Sequence, residues 1–284
     1  MNFTSGAFKV IGEGCLESRN TPLSLETETS FDFVIPPEEM ARFRRRWDIL
    51  QKLQGTGGSG RYAEEFQSYY RGARAMMESP DIRKVLAVAE EDRKRYGGTQ
   101  VGDACALARN LVGARAGTRF IMISHNGWDS HADIYSRNTQ YKLARELDDA
   151  LANLLKDLDE SKLLDKTFVC CLGEFGRTPG ELTVNKGRDH YKDVFTGLFA
   201  GAGTKGGRAI GVTDELGAKI KDPGWHKKRP IYIEDVAATI YSVLGIDWTK
   251  TITDTPSGRV FEYIEHQSGT DFFVPGEISE LFGS

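Results

Sequence analysis

Residues 119–244 alternate short apolar runs with longer segments of helical periodicity, and this alternation is the strongest constraint that the sequence places on the fold. The predicted strands are 119–124, 167–172 and 194–200, and the predicted helices of this region are 138–160 and 233–244. Strands that alternate with helices favour a mostly parallel sheet with helices on its faces. The sequence therefore predicts the α/β fold class.

The first part of the chain is predicted to be mainly helical. Residues 1–37 are rich in Gly, Ser and Thr, and one alternating stretch, S-F-D-F-V-I at 30–35, indicates a short strand at most. Beyond it, apolar residues recur at spacings of three and four, which predicts helices at 38–54, 62–78, 81–95 and 100–116. The glycine-rich segment G-T-G-G-S-G at 55–60 predicts a flexible connection.

These patterns predict a single domain over residues 1–284, a length that is ample for a buried core. Its predicted parts are an irregular segment at 1–37, a mainly helical part at 38–117, an α/β core at 118–250 and a C-terminal tail at 251–284.

Composition excludes several classes of protein. The formal net charge of −4 argues against a nucleic-acid-binding protein, which usually carries a basic surplus. No apolar run approaches the length of about 18 residues that a transmembrane helix needs. The sequence as given begins M-N-F-T-S-G-A-F-K, which predicts no signal peptide.

Cys170 and Cys171 lie in the apolar run T-F-V-C-C-L and are predicted to be core side chains.

Polar side chains gather where the predicted strands end or begin. The three clusters are Asp129-Ser130-His131, Glu174 with Arg177, and Arg188-Asp189-His190. Because ligands bind beyond the carboxyl ends of parallel strands, we expect the clusters to converge on one edge of the sheet. Each cluster alone is typical of a solvated loop, so the prediction of a shared site depends on their occurring together.

The residue types in these clusters suit a metal ion and an anion. Carboxylates and imidazoles bind divalent ions such as Zn²⁺, Mn²⁺ or Mg²⁺. The guanidinium fork of an arginine suits a phosphate or sulfate group. The glycine stretch at 201–211 lacks the phosphate-loop spacing, and no G-x-S-x-G elbow indicates a serine esterase.

Longer motifs follow one another in a recognisable order. They are W-D-S-H at 128–131, L-L-D-K-T-F-V-C-C-L-G-E-F-G-R-T-P at 163–179, G-R-D-H-Y at 187–191 and K-G-G-R-A-I-G-V-T-D at 205–214. Together they closely resemble the bacterial family called domain of unknown function 1501. The segment E-D-V-A-A-T-I-Y-S-V-L-G-I-D at 234–247 is similar to a D-x-x-x-T-[IL]-x-x-x-x-G-I helix of the wider alkaline phosphatase and sulfatase superfamily.

The resemblance implies a doubly wound α/β fold with a metal site that hydrolyses phosphate or sulfate esters. Asp129 matches the aspartate that binds one metal after a mid-chain strand, and His190 resembles the late histidine that completes that site. The superfamily's partner histidine lies four residues after the aspartate, where this chain has Asp133. His131, which belongs to the family motif, is therefore the favoured partner.

Other positions of the resemblance give further candidates. Glu174 and Phe175 occupy the place of an Asp-His-Gly motif, which keeps the carboxylate as a metal ligand and replaces the imidazole by a side chain that cannot ligate. Arg177 and Arg188 are the implied anion-holding residues.

One superfamily motif has no counterpart. Relatives begin with an export signal and a first strand followed by a G-G-x-S-x-x-D-like loop, which supplies the nucleophile, and no such motif occurs in this sequence. The chain therefore resembles the C-terminal two thirds of a relative and is predicted to lack the N-terminal strand region. The resemblance also implies export to the periplasm or cell envelope.

Two functions follow as alternatives. The first is a hydrolase of small anionic phosphate or sulfate esters with a divalent cofactor (Zn²⁺, Mn²⁺, Mg²⁺ or Ca²⁺), held by Asp129, His131, Glu174 and His190. The second is a non-catalytic scaffold or binding protein of the same fold, in which these polar groups only fasten loops. The absent nucleophile motif favours the second.

Overall fold

The computed structural model of the chain describes residues 2–3, 22–25, 35–54, 60–255, 258–264 and 274–283. The chain divides into two compact units, one formed by Met1–His125 with Asp149–Leu151 and the other by Asn126–Asp148 with Ala152–Ser284. The strand predicted at 30–35 and the connection predicted at 55–60 lie almost wholly outside the described residues. The single-domain division stays a prediction.

The first unit is mainly helical, as the sequence predicts. Its elements are β1 (Asn2–Phe3), β2 (Ser24–Leu25), α1 (Met40–Gln54), α2 (Arg61–Glu78), α3 (Pro80–Leu86), α4 (Glu90–Arg95), α5 (Gln100–Ala114) and β3 (Met122–Ile123). Strand β1 pairs in parallel with both β2 and β3. The side chain of Ser79 caps α3, and that of Thr99 caps α5, so serine and threonine set two helix starts.

The prediction of one helix over 81–95 is wrong. The chain is extended at Ala87 and Ala89, which separates α3 from α4. This break places Leu86 in the core with Leu107 and Leu111, and the Asn110 side chain donates to the carbonyl that Ala87 exposes, at 2.9 Å. Tertiary packing thus overrides helical periodicity at this point.

The second unit combines two helices with short strand pairs. Its elements are α6 (Gln140–Glu160, of which 149–151 belong to the first unit), β4 (Val169–Leu172), β5 (Gly176–Arg177), β6 (His190–Tyr191), β7 (Gly197–Ala200), β8 (Val212–Thr213), β9 (Ile220–Asp222), α7 (Ile233–Val243), β10 (Thr251–Ile252) and β11 (Phe261–Glu262). The helices at 140–160 and 233–243 confirm the predicted helices within two residues.

The prediction of a mostly parallel sheet is corrected by the strand pairing. Strands β4 and β7 pair antiparallel, from Val169 opposite Ala200 to Leu172 opposite Gly197. The pairs β5–β6, β8–β9 and β10–β11 are antiparallel as well. No helix lies in residues 173–196 between β4 and β7, and antiparallel neighbours do not need the helical crossover that parallel ones require. The described residues therefore support a general α/β class.

One face of the β4–β7 pair packs against α7. The buried residues of this core are Trp225, Val236, Ile278 and Leu281, and the side chains packed against them include Phe168, Cys170, Leu172, Phe199 and Ile240. Of the two cysteines predicted to be core side chains, Cys170 is half-buried and packs against this core, and Cys171 is half-buried as well. Burial, followed by the neighbouring Cys171, raises the pKa of the Cys170 thiol to about 12.

We expect the thiol of Cys170 to resist alkylation in the folded protein. A pKa near 12 leaves about one thiolate in 10⁴ at pH 8, and the thiolate is the reactive form. Iodoacetamide at pH 8, followed by fragmentation mass spectrometry that distinguishes Cys170 from the adjacent Cys171, should leave Cys170 unmodified in buffer and modify it in urea. Equal modification under both conditions would contradict the prediction.

Two buried polar side chains of α7, Asp235 and Thr239, connect this helix to residues 274–278. Asp235 has no exposed surface, and its two carboxylate oxygens accept from Arg229 at 2.7 and 2.8 Å. The amide of Gly276 also donates to Asp235, at 2.9 Å. One turn later, Thr239 donates to the Asp235 carbonyl and accepts from the amide of Ile278 at 2.9 Å. The Asp and Thr of the D-x-x-x-T pattern thus fasten the C-terminal segment to the helix.

Among the described residues, no helix has the length and apolar character needed to cross a bilayer.

Candidate metal centre

Two loop segments of the second unit lie side by side and supply the candidate ligands. The amides of Asp133 and Ile134 donate to the carbonyls of Asn185 and Lys186, each at 3.0 Å. Gly187 is buried, and a Cβ at this position would overlap the backbone carbonyl of His131. A residue without a side chain therefore allows the two backbones to approach closely.

A two-residue ladder places the second set of polar residues. Arg177 on β5 lies opposite His190 on β6. Just beyond the ladder, the amide of Thr178 donates to the Asp189 carbonyl at 3.0 Å, and the amide of Asp189 donates to the Thr178 hydroxyl at 3.1 Å. Short-range backbone pairing thus fixes Asp189 and His190 relative to Arg177.

Three candidate ligands converge on one point. Oδ1 of Asp129 lies 2.9 Å from Nε2 of His131 and 2.9 Å from Nε2 of His190. The two Nε2 atoms are 3.3 Å apart. All three side chains are exposed, so the cluster opens to solvent. The structure therefore brings together three of the four residues that the sequence proposes as metal ligands.

The donor set fits a divalent transition ion. Around a tetrahedral Zn²⁺ with bonds of about 2.0–2.1 Å, neighbouring ligand atoms lie about 3.3 Å apart. The observed separations of 2.9 and 3.3 Å are close to that edge length. Two imidazole nitrogens and one carboxylate oxygen suit Zn²⁺ or Mn²⁺ better than Mg²⁺ or Ca²⁺, which prefer oxygen ligands throughout.

Arg177 orients Asp129 and joins the loops that carry the ligands. Its Nη2 donates to Oδ1 of Asp129 at 2.7 Å and to the carbonyl of Trp128 at 3.1 Å, and its Nη1 donates to the carbonyl of Arg188 at 3.1 Å. The hydrogen bond from Arg177, followed by that from His190, holds the pKa of the Asp129 carboxyl well below its usual range. The carboxylate is therefore anionic in neutral and mildly acidic solution.

Arg188 holds the neighbouring turn. Its Nε donates to the hydroxyl of Tyr135 at 3.0 Å, and its Nη1 donates to the carbonyls of Thr178 and Gly180. A guanidinium has five N–H donors, and Nη2 takes no part in these three bonds. Arg188 thus holds the turn through Nε and Nη1, and its Nη2 is the donor that could bind an anion.

Glu174 lies outside the group of three. It is exposed in the turn before β5. The next residue, Phe175, packs its ring on that of His190, with centroids 4.1 Å apart and planes at 33°. Phe175 stands where the resemblance implies a histidine, and it packs against the candidate ligand His190 instead of binding a metal itself.

Asp189 belongs to one of the three predicted clusters, but no sequence pattern indicates a role for it. In the structure its Oδ1 lies 3.0 Å from Nδ1 of His131. The G-R-D-H-Y motif places Asp189 beside His190, but adjacent residues of a strand point to opposite faces. No spacing rule therefore indicated that Asp189 and His190 would both contact His131.

Comparisons with known proteins give a family and no activity. No curated protein matches the chain, and no solved structure matches it. A family profile described as "Protein of unknown function (DUF1501)" matches residues 7–269. The match spans both compact units and every candidate site residue, and the chain belongs to this family.

Proposed function

We propose that the chain is a metal-dependent hydrolase of small phosphate or sulfate esters, centred on Asp129, His131 and His190. The observation that supports it is the convergence of these three ligand atoms within 4.8 Å of one another on an exposed surface. A bound divalent ion would supply Lewis-acid chemistry there, polarising an ester oxygen and lowering the barrier to attack by water. The choice of phosphate and sulfate esters rests on the resemblance of the sequence motifs to the alkaline phosphatase and sulfatase superfamily.

The chain's own residues contribute charge and orientation. Arg177 keeps Asp129 ionised and aimed at the two imidazoles. The tilted packing of Phe175 against the His190 ring limits rotation of that ring. Nη2 of Arg188 is the proposed contact for the ester's anionic oxygens, since the other donors of that guanidinium hold the turn. Glu174 stays proposed as a fourth ligand.

The competing proposal is a non-catalytic scaffold. The observation that favours it is the set of bonds from Arg177 and Arg188 to loop carbonyls, because arginines that fasten loops have fewer donors left for a substrate. The two proposals differ in whether a metal binds and in whether an ester is turned over.

Metal binding tests the proposed centre directly. The purified protein, stripped with a chelator and dialysed against each ion, is expected to retain a single Zn²⁺ or Mn²⁺ per chain and to hold Mg²⁺ and Ca²⁺ more weakly. Asp129→Ala and His190→Ala should abolish retention, and Glu174→Ala reports whether a fourth ligand is used. His226→Ala is the matched control, because His226 contacts Glu280 and lies outside the cluster. Unchanged metal content in the two ligand variants would overturn the assignment.

Turnover separates a hydrolase from a scaffold. Aryl phosphate and aryl sulfate esters should be hydrolysed by the loaded wild-type protein and by His226→Ala, but not by Asp129→Ala or His190→Ala. A protein that binds metal and hydrolyses neither ester class would favour the scaffold.

A further inference from the structure

We propose that Asp189 is a positioning residue that fixes His131 in the tautomer with its proton on Nδ1. Oδ1 of Asp189 lies 3.0 Å from that nitrogen. An ionised carboxylate can only accept a hydrogen bond, so the shared proton belongs to Nδ1 of His131. The inference rests on the metal centre of the proposed function, although it does not depend on whether an ester is hydrolysed.

This tautomer has a consequence on the other side of the ring. A neutral imidazole with its proton on Nδ1 presents a lone pair at Nε2. That lone pair lies 2.9 Å from Oδ1 of Asp129, which is itself an acceptor. A metal ion between these two acceptors removes their repulsion and takes the place of a proton on Nε2. By accepting from Nδ1, Asp189 favours the tautomer that leaves the Nε2 lone pair of His131 for a metal ion.

The position of Asp189 suits this role. Its backbone is held on both sides by Thr178, through one bond to the hydroxyl and one from the amide. Its neighbour His190 is a candidate ligand on the same ladder, so one rigid segment supplies a ligand and the support for another. A carboxylate that accepts from the distal nitrogen of a ligand histidine also raises the basicity of the nitrogen that binds metal.

The variants that test this role are Asp189→Ala and Asp189→Asn. Loss of such a carboxylate typically weakens metal binding about 10–100-fold, which is the loss of Zn²⁺ affinity expected for Asp189→Ala in a chelator-competition titration. Asp189→Asn should fall between the alanine variant and the wild type, because the amide oxygen can still accept from Nδ1. Asp193→Ala removes an exposed carboxylate that pairs with Lys192, and this control should bind Zn²⁺ like the wild type.

A second measurement does not depend on metal affinity. Long-range ¹H–¹⁵N correlations of the His131 ring, recorded on metal-free protein in mildly alkaline buffer, should show a larger fraction of the tautomer with its proton on Nδ1 in the wild type and in Asp193→Ala than in Asp189→Ala, where Asp129 is the carboxylate that remains beside the ring. Backbone amide shifts away from the site should be the same in all three proteins.

The two readouts separate the possible failures. Wild-type zinc affinity in Asp189→Ala, or equal tautomer fractions in the metal-free wild type and metal-free Asp189→Ala, would overturn the positioning role. If the wild type bound no metal, the proposed centre would fail, and the tautomer in the metal-free protein would still decide the role of Asp189. Turnover is needed for neither result.

Discussion

Replacing Asp235 with alanine is expected to lower the free energy of unfolding by about 3–5 kcal/mol, the usual result of removing one partner from a buried ion pair. The carboxylate has no exposed surface and accepts from Arg229, from the amide of Gly276 and from the amide of Tyr232. The alanine variant would leave a largely buried guanidinium without its counter-charge and the two amides without an acceptor. Urea unfolding followed by far-ultraviolet circular dichroism measures the change.

Two controls make this prediction specific. Glu234→Ala removes a carboxylate from the same helical turn and should cost about 0.3–1 kcal/mol through the helix dipole. The double change Arg229→Met with Asp235→Leu replaces both charges by apolar groups and should recover the part of the loss that comes from the unpaired guanidinium. The amides of Gly276 and Tyr232 still lack an acceptor in this variant, so recovery should be partial. A loss in Asp235→Ala no larger than that in Glu234→Ala would contradict the structural role given to the D-x-x-x-T pattern.

Gly187→Ala is expected to weaken metal binding about 100-fold, the upper end of the loss caused by removing a supporting contact. The added Cβ would overlap the carbonyl of His131, so the segment with His190 must move away from the segment with Asp129 and His131. A site of this kind tolerates displacements of about 0.5 Å. The same chelator-competition titration with Zn²⁺ gives the affinity.

Gly206→Ala is the matched control for this change. An added Cβ at Gly206 meets no other atom within 4 Å, so that variant should bind Zn²⁺ like the wild type. Gly187→Ala should also lower the free energy of unfolding by about 1–3 kcal/mol, the usual cost of overpacking. Wild-type affinity in Gly187→Ala would mean that the two loop segments do not need to touch to form the site.

Local patterns in the sequence predict most of the helices, but they do not predict the break between α3 and α4 or the pairing of the strands. Helices α1, α5, α6 and α7 follow from the spacing of their apolar residues, with capping by Thr99 at the start of α5. The strands at 169–172 and 197–200 follow from their apolar runs, but their antiparallel pairing does not follow from the alternation of strands and helices. The segment between these strands has no helical periodicity, which favours an antiparallel pair over a parallel one.

The candidate site was predictable in its members and not in its contacts. Asp129, His131 and His190 were named from residue type and motif order, and the structure places them together. Arg177 connects the loops through three hydrogen bonds to residues distant in sequence, and no local sequence pattern predicts such bonds. The same holds for Phe175, whose packing on His190 depends on the turn between β4 and β5.

The tryptophan directly before Asp129 gives the site its own fluorophore. The carbonyl of Trp128 accepts hydrogen bonds from Arg177 and from Gln140, which hold this part of the backbone in place. The indole is therefore attached to the same backbone segment as the candidate ligand Asp129. Indole emission is quenched by nearby paramagnetic ions. Binding of Co²⁺ or Mn²⁺ beside Asp129 should therefore reduce the fluorescence emission of Trp128. This decrease allows metal occupancy to be followed in the unlabelled protein.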